Sequence, residues 1–283
     1  MKQVLVVFGL ALAFTAQAQN VEETFTGTRV INGHSVETLK SRILEFRIEH
    51  RFGDIAGTNG GVHQFFGFDQ AADIRFAFEY GISDNWMVGL GRSKGTGAPY
   101  SSLVDGFTKY RFMTQQKNGT PISLAAMGSA MITYGKSTSD LTQVTSYPKF
   151  SHRMAYSAQL IAARKFGEHL SVQLMPTFVH RNLVDIEDVN SLFSLGGAVN
   201  YKINKSYGLI LEYYHNFNPS GFRANMKNSL GVAFEWNTNG HTFKMNFTNS
   251  RGFGETQFIP YTTSDWLAGE FRFGFSISRK FKL

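Results

Sequence analysis

The chain contains no cysteine, which excludes disulfides, thiolate metal sites and a lipid-anchored N-terminus. Proline is scarce, with six in 283 residues, and no Pro- or Ser-rich linker interrupts the sequence, so one domain is expected. Beyond the leader, no stretch approaches the roughly 20 apolar residues of a spanning helix. The eight histidines never fall in H-E-x-x-H or another ligand spacing, and neither metal nor cofactor is expected. G-x-S-x-G is missing, and the Ser151-His152 pair is poorly placed for catalysis because strand neighbours point to opposite faces. Asp185, Glu187 and Asp188 do not follow an EF-hand pattern and read as a solvated acidic loop.

What is present begins with an export signal. Lys2, the apolar run Val4–Phe14 and Ala16-Gln17-Ala18 make residues 1–18 a secretory signal peptide, with Gln19 as the expected mature start. An exported chain excludes nucleic acid as a partner. Its formal charge of +7 suits a basic surface facing anionic lipid headgroups.

The dominant pattern is period-2 alternation. In residues 69–92, Ala72, Ile74, Phe76, Phe78 and Tyr80 share one face, and Asp73, Arg75, Ala77 and Glu79 the other. Gly81-Ile82-Ser83-Asp84-Asn85 has turn chemistry, after which Trp86, Val88 and Leu90 resume the apolar face. The unit recurs to the end of the chain, with strong hairpin signals at Asn118-Gly119 and Asn239-Gly240, and gives about twelve strands. Residues 19–38 lack the alternation and are expected to form a periplasmic N-terminal segment, placed either below the barrel or in its mouth.

Alternation alone also fits a soluble sandwich. Strand length argues otherwise, because membrane strands need ~9–11 residues whereas soluble strands centre on ~5–6. Connections alternate long and short, as in outer-membrane barrels. Aromatics gather at the short turns (Tyr80, Trp86, Tyr201, Tyr207, Trp236 and Phe243), as an interfacial belt requires. The expected fold is therefore all-β: a transmembrane antiparallel up-and-down β-barrel over residues 39–283, in the outer membrane of a Gram-negative bacterium and in contact with its lipid. The long loops Gly53–Phe68, Gly135–His152 and Arg251–Leu267 should face outward. His50, His180 and His215 fall at the outer rim on the lipid-facing parity.

Several motifs resemble a family of uncharacterised Gram-negative outer-membrane β-barrels of the domain-of-unknown-function kind. They are Thr28-Arg29-Val30-Ile31-Asn32-Gly33-His34-Ser35-Val36-Glu37-Thr38, His50-Arg51-Phe52-Gly53 and Tyr80-Gly81-Ile82-Ser83-Asp84. Gly89-Leu90-Gly91-Arg92-Ser93 and Asp105-Gly106-Phe107-Thr108-Lys109-Tyr110-Arg111 complete the set. The resemblance implies a barrel, no known activity and no catalytic residue.

An Arg or Lys on the lipid face near midplane costs ~2–4 kcal/mol, so the charged face must be the lumen. Its expected lining is Glu45, Arg47, Glu49, Arg51, Asp73, Arg75, Glu79, Lys109, Arg111, Lys202, Lys244, Glu270, Arg272 and Lys280. At the seam, Arg51 should lie near Asp73 and Glu270, and Glu45 near Lys280, as charge pairs fixing the register. The opposite wall is rich in small residues, among them Ser123, Ala125, Ala198, Gly231 and Ala233, and is expected to leave a water-filled path. The functional expectation is a porin-like pore or transporter for polar or anionic solutes. The alternatives are a closed barrel that interacts through its outer loops and, third, an outer-membrane hydrolase.

Overall fold

A computed structural model of the chain describes residues 19–21, 23–70, 72–95, 97, 99, 101–217 and 221–283. The signal-peptide reading of residues 1–18 lies outside them. Twelve antiparallel strands close into a barrel in which each strand pairs with its sequence neighbours and the last pairs with the first. They are β1 (Ile43–Asp54), β2 (Asp73–Ser83), β3 (Trp86–Lys94), β4 (Ser102–Met113), β5 (Ser123–Thr133) and β6 (Met154–Phe166). The second half comprises β7 (Leu170–Arg181), β8 (Ser191–Lys202), β9 (Tyr207–Asn216), β10 (Ser229–Asn237), β11 (His241–Thr248) and β12 (Arg272–Lys282). A short helix, α1 (Glu255–Tyr261), lies in the β11–β12 connection.

The alternation places the side chains as period 2 requires. Phe76, Phe78, Leu90, Leu160, Leu174 and Leu209 are exposed on the outer surface, while Arg47, Arg75, Lys109 and Glu79 are buried within. Trp86, Tyr201, Tyr207 and Trp236 are exposed near the short turns, with Tyr80 and Phe243 half-buried beside them. Tyr207, Trp236 and Phe243 stack in series across three strands, at 6.5 Å and 5.2 Å between ring centroids. Both the N-terminal segment and the C-terminus lie at the short-turn end, because an even strand count returns the chain to its starting side. By the layout of outer-membrane barrels that end is periplasmic.

Closure pairs Glu45 with Lys280 and Glu49 with Ser276 on one side of β1, and Arg51 with Asp73 on the other. The interior that the strands enclose holds protein.

Candidate functional site

Of the two placements expected for the N-terminal segment, below the barrel or in its mouth, the structure has the second, and residues 24–38 continue deep into the lumen. Residues 24–38 run up the lumen from the short-turn end, reverse and return, forming a hairpin buried along most of its length. Two ladder hydrogen bonds define it: the Val30 amide donates to the Gly33 carbonyl (2.9 Å), and the Ser35 amide to the Thr28 carbonyl (3.0 Å). Arg29 and His34 face each other across it. No period-2 apolar face marks the segment, because both its faces meet the barrel wall.

The wall charges bind the hairpin backbone. At the tip the Glu212 carboxylate accepts from three successive amides, those of Ile31 (3.1 Å), Asn32 (2.8 Å) and Gly33 (3.0 Å). The Lys109 ammonium donates to the carbonyls of Thr28 (3.1 Å) and Ser35 (2.9 Å), bridging both arms. Lys244 donates to the carbonyls of Arg29 and Val30 and pairs with Glu235 at 3.1 Å. The Gln173 side-chain amide donates to the His34 carbonyl (2.9 Å) and accepts from the Val36 amide (2.8 Å). A buried backbone group without a partner costs about 1–3 kcal/mol. Strands β4, β7, β9 and β11 thus supply the partners that a lone hairpin in a lumen would lack.

Side chains complete the grip. The Thr28 hydroxyl donates to Glu79 (2.6 Å) and accepts from Arg47 (2.8 Å). Arg29 meets Glu49 at 3.3 Å and donates to the carbonyls of Asn32 and Phe253. The Asn32 carboxamide reaches Ser229, Thr248 and Arg51. Phe25, Val30, Ile31 and Val36 turn to the other wall, where they form one apolar cluster with Ala125, Ile161, Met175, Ala198, Ile210 and Ala233. This corrects the expectation of a water path. The small residues make room for the hairpin: a Cβ on Gly231 would come within 3.1 Å of Ile31.

The long loop Arg251–Leu267, expected outside, also folds inward. Phe253 and residues 255–260 are buried, with Phe258 edge-on to Tyr214 at 4.9 Å. Arg51 donates to the carbonyls of Ser250 and Gly252 and lies over the Phe253 ring, 4.6 Å from its centroid. Asp188 clasps the top: it accepts from Arg181 (2.8 Å) on β7 and from Arg223 (2.8 and 2.9 Å) in the β9–β10 loop. Arg223 also donates to the Pro260 carbonyl of α1. The acidic-loop reading of Asp188 therefore gives way to a buried, doubly paired carboxylate.

The expected lumen charges divide into three groups. Glu45, Arg47, Glu49, Arg51, Asp73, Arg75, Glu79, Lys109, Lys244 and Arg272 are buried inside. Arg111 and Lys202 lie near the periplasmic mouth, paired with Glu37 (3.1 Å) and Glu23 (3.3 Å) of the N-terminal segment. Lys280 is exposed at that mouth, and Glu270 caps the outer loop by accepting from the Asp265 amide (2.8 Å).

The seam pairs expected from register are not the ones formed. Arg47 bonds Glu45 two residues away on its own strand and approaches Glu79 at 3.5 Å. Arg75 reaches Glu49 at 2.7 Å and, passing over β3, forks onto Asp105 of β4 (3.0 and 2.6 Å). Gly91 permits that crossing, since a Cβ there would stand 2.5 Å from the guanidinium. Asp73 pairs with Arg251 (2.9 Å) in place of Arg51. Long side chains reach past the residue directly opposite, so backbone register does not choose the partner. Sequence reasoning missed Glu212 as the tip acceptor, although its inward parity and its position among apolar neighbours marked it. It also missed Gln173, which carries no charge to draw attention.

The sequence matches the family described as "Membrane bound beta barrel domain (DUF5777)" over residues 25–281. No curated protein matches it. Among solved structures it is similar to the "KdgM porin in complex with disordered oligogalacturonate", with 12% identity and a TM-score of 0.50 over 84% of this chain and 99% of that one. It is also similar to the "COG4313 outer membrane channel from Pseudomonas putida F1", with 13% identity and a TM-score of 0.48 over 87% and 98%. At 12% identity the likeness to the first is one of fold.

Proposed function

Because the chain belongs to the membrane-bound β-barrel domain family, we propose that it is a gated outer-membrane channel for small polar or anionic solutes, closed by its own 24–38 hairpin. The observation that carries this reading is the kind of contact that holds the hairpin. Wall cations and carboxylates bind its backbone, and those same groups would line an aqueous path once it withdrew toward the periplasm. The main apolar cluster lies against β5 to β10, with the charged groups of β1, β2, β11 and β12 across the lumen from it.

The charge left behind sets the preference. On withdrawal Arg47 keeps Glu45, Arg75 keeps Asp105 and Lys244 keeps Glu235. Lys109, Arg51 and Arg111 lose Thr28, Asn32 and Glu37, while Glu212 loses its three amides. Inside the lumen Glu49 and Glu79 also remain, sharing Arg75 and Arg47, so the charge there nearly balances. At the periplasmic mouth Arg111 and Lys202 lose Glu37 and Glu23 and stand with Lys280 as a basic cluster unpaired among the described residues, which attracts anions. A porin of this fold in complex with oligogalacturonate is consistent with such a cargo.

The closed interaction barrel has one observation in its favour: the inward fold of residues 253–260 adds a second obstruction above the first. Planar-bilayer recording under a salt gradient separates the readings. A channel gives discrete steps whose reversal potential reports anion preference, with more steps when the hairpin is loosened. A bilayer that stays silent even after removal of residues 24–36 selects the closed barrel.

A further inference from the structure

On the lipid face of β3–β6, toward the extracellular end, lies a groove of about 620 Å³. Leu90, Val104, Ala130, Ile132, Phe150 and Met154 line it. The register lays Arg92, Val104, Ile132 and Met154 in one row across the four strands, and sets Lys94 in the row above. Four strands span roughly 14 Å, wide enough for several acyl chains side by side.

The extracellular edge of this groove is cationic. Arg92 is exposed and lies over the Tyr134 ring, 5.7 Å from its centroid. Lys94 is exposed one step higher, and Lys149 is exposed next to Phe150, which is itself 72% exposed over the groove. Lys136, two residues beyond Tyr134, is exposed as well. Among the described residues none of these four cations forms an ion pair. The acids nearby are engaged: Asp105 turns inward onto Arg75, and Asp140 bonds Thr142 and Gln143 within its own loop.

We propose that this is a binding site for a phosphorylated glycolipid of the outer leaflet, with acyl chains in the groove and phosphates on Arg92, Lys94 and Lys149. Two features support that occupant. The cations stand at headgroup height directly above apolar surface, which matches a lipid with its charge at one end. They come from separate elements, β3 and the β5–β6 loop, so two separated phosphates can each meet a cation. A soluble anion has no use for the groove, and an uncharged lipid has none for the edge.

The test uses the full chain in detergent, with lipid A added and retention read by native mass spectrometry. The wild type should hold one lipid A. Retention should fall at least tenfold in Arg92→Ala/Lys94→Ala/Lys149→Ala and for lipid A stripped of its phosphates. Gly128→Leu should also weaken retention by filling the groove; nothing stands within 4 Å of a Cβ there, so the barrel tolerates the change. Unaltered heat-resistant gel migration of each variant establishes that it is folded. Equal retention by the triple variant overturns the proposal. So does equal binding of phosphatidylglycerol, displacement by millimolar inorganic phosphate, or a second copy of the chain seated on the groove.

Discussion

Removing the Glu212 carboxylate would leave the amides of Ile31, Asn32 and Gly33 without their acceptor inside the barrel. Each unmet group costs about 1–3 kcal/mol, and the cost falls on the closed state alone if the hairpin can leave. Glu212→Ala is therefore expected to raise open probability in planar bilayers while the barrel still migrates as a heat-resistant band. Arg47→Glu is expected to act differently. It sets a third carboxylate beside Glu45 and Glu79 in a buried site, and breaking such a cluster typically costs ~3–5 kcal/mol, so the melting midpoint should fall. On the outer face, Phe76→Arg puts a cation against lipid at a cost of ~2–4 kcal/mol, read as loss of heat-resistant migration at a lower temperature. At the mouth, Arg111→Glu should shift reversal potentials toward cations, since the side chain lies beside the path and its ion pair among the described residues is with Glu37 of the departing segment.

Among the elements, the extracellular clasp responds to acid. Burial pushes the Asp188 carboxyl up, but hydrogen bonds from Arg181 and Arg223 and the charge of Arg181 outweigh it and hold it below the usual carboxylate range. A depressed carboxyl contributes its stability above its ordinary value and loses it as pH falls through the lowered one. The β7–β8 and β9–β10 loops should therefore stay joined at neutral pH and separate in strong acid. Spin labels on the two loops would report the distance change, and Asp188→Asn should show the wider spacing at every pH. The strands themselves were legible from alternation, because one face meets lipid and the other must not. The hairpin was not, because a segment enclosed on all sides has no solvent face to impose a period. Nor was α1: seven residues in a long connection carry no sign that Phe253 and Phe258 turn inward. The lumen residues could be assigned by parity, but their partners could not. Arg75 shows why: its carboxylates lie on β1 and, across β3, on β4.

For the molecule as a whole, the proposed gate makes the barrel the fixed wall and the hairpin the movable part. The wall is closed by a continuous ladder from β1 round to β12, whereas the hairpin joins it through side chains and two arms that both exit toward the periplasm. The hairpin can therefore withdraw without disturbing a strand. The chain has no native cysteine, so a pair introduced between hairpin and wall has no competitor. Ile31→Cys with Gly231→Cys joins the tip to β10, where a Cβ at position 231 would stand 3.1 Å from the γ-methyl of Ile31. Single-channel recording of this variant, oxidised and then reduced, is the most direct test of the gate. The gate predicts silence when oxidised and the return of anion-selective steps on reduction; equal conductance in both states would contradict it.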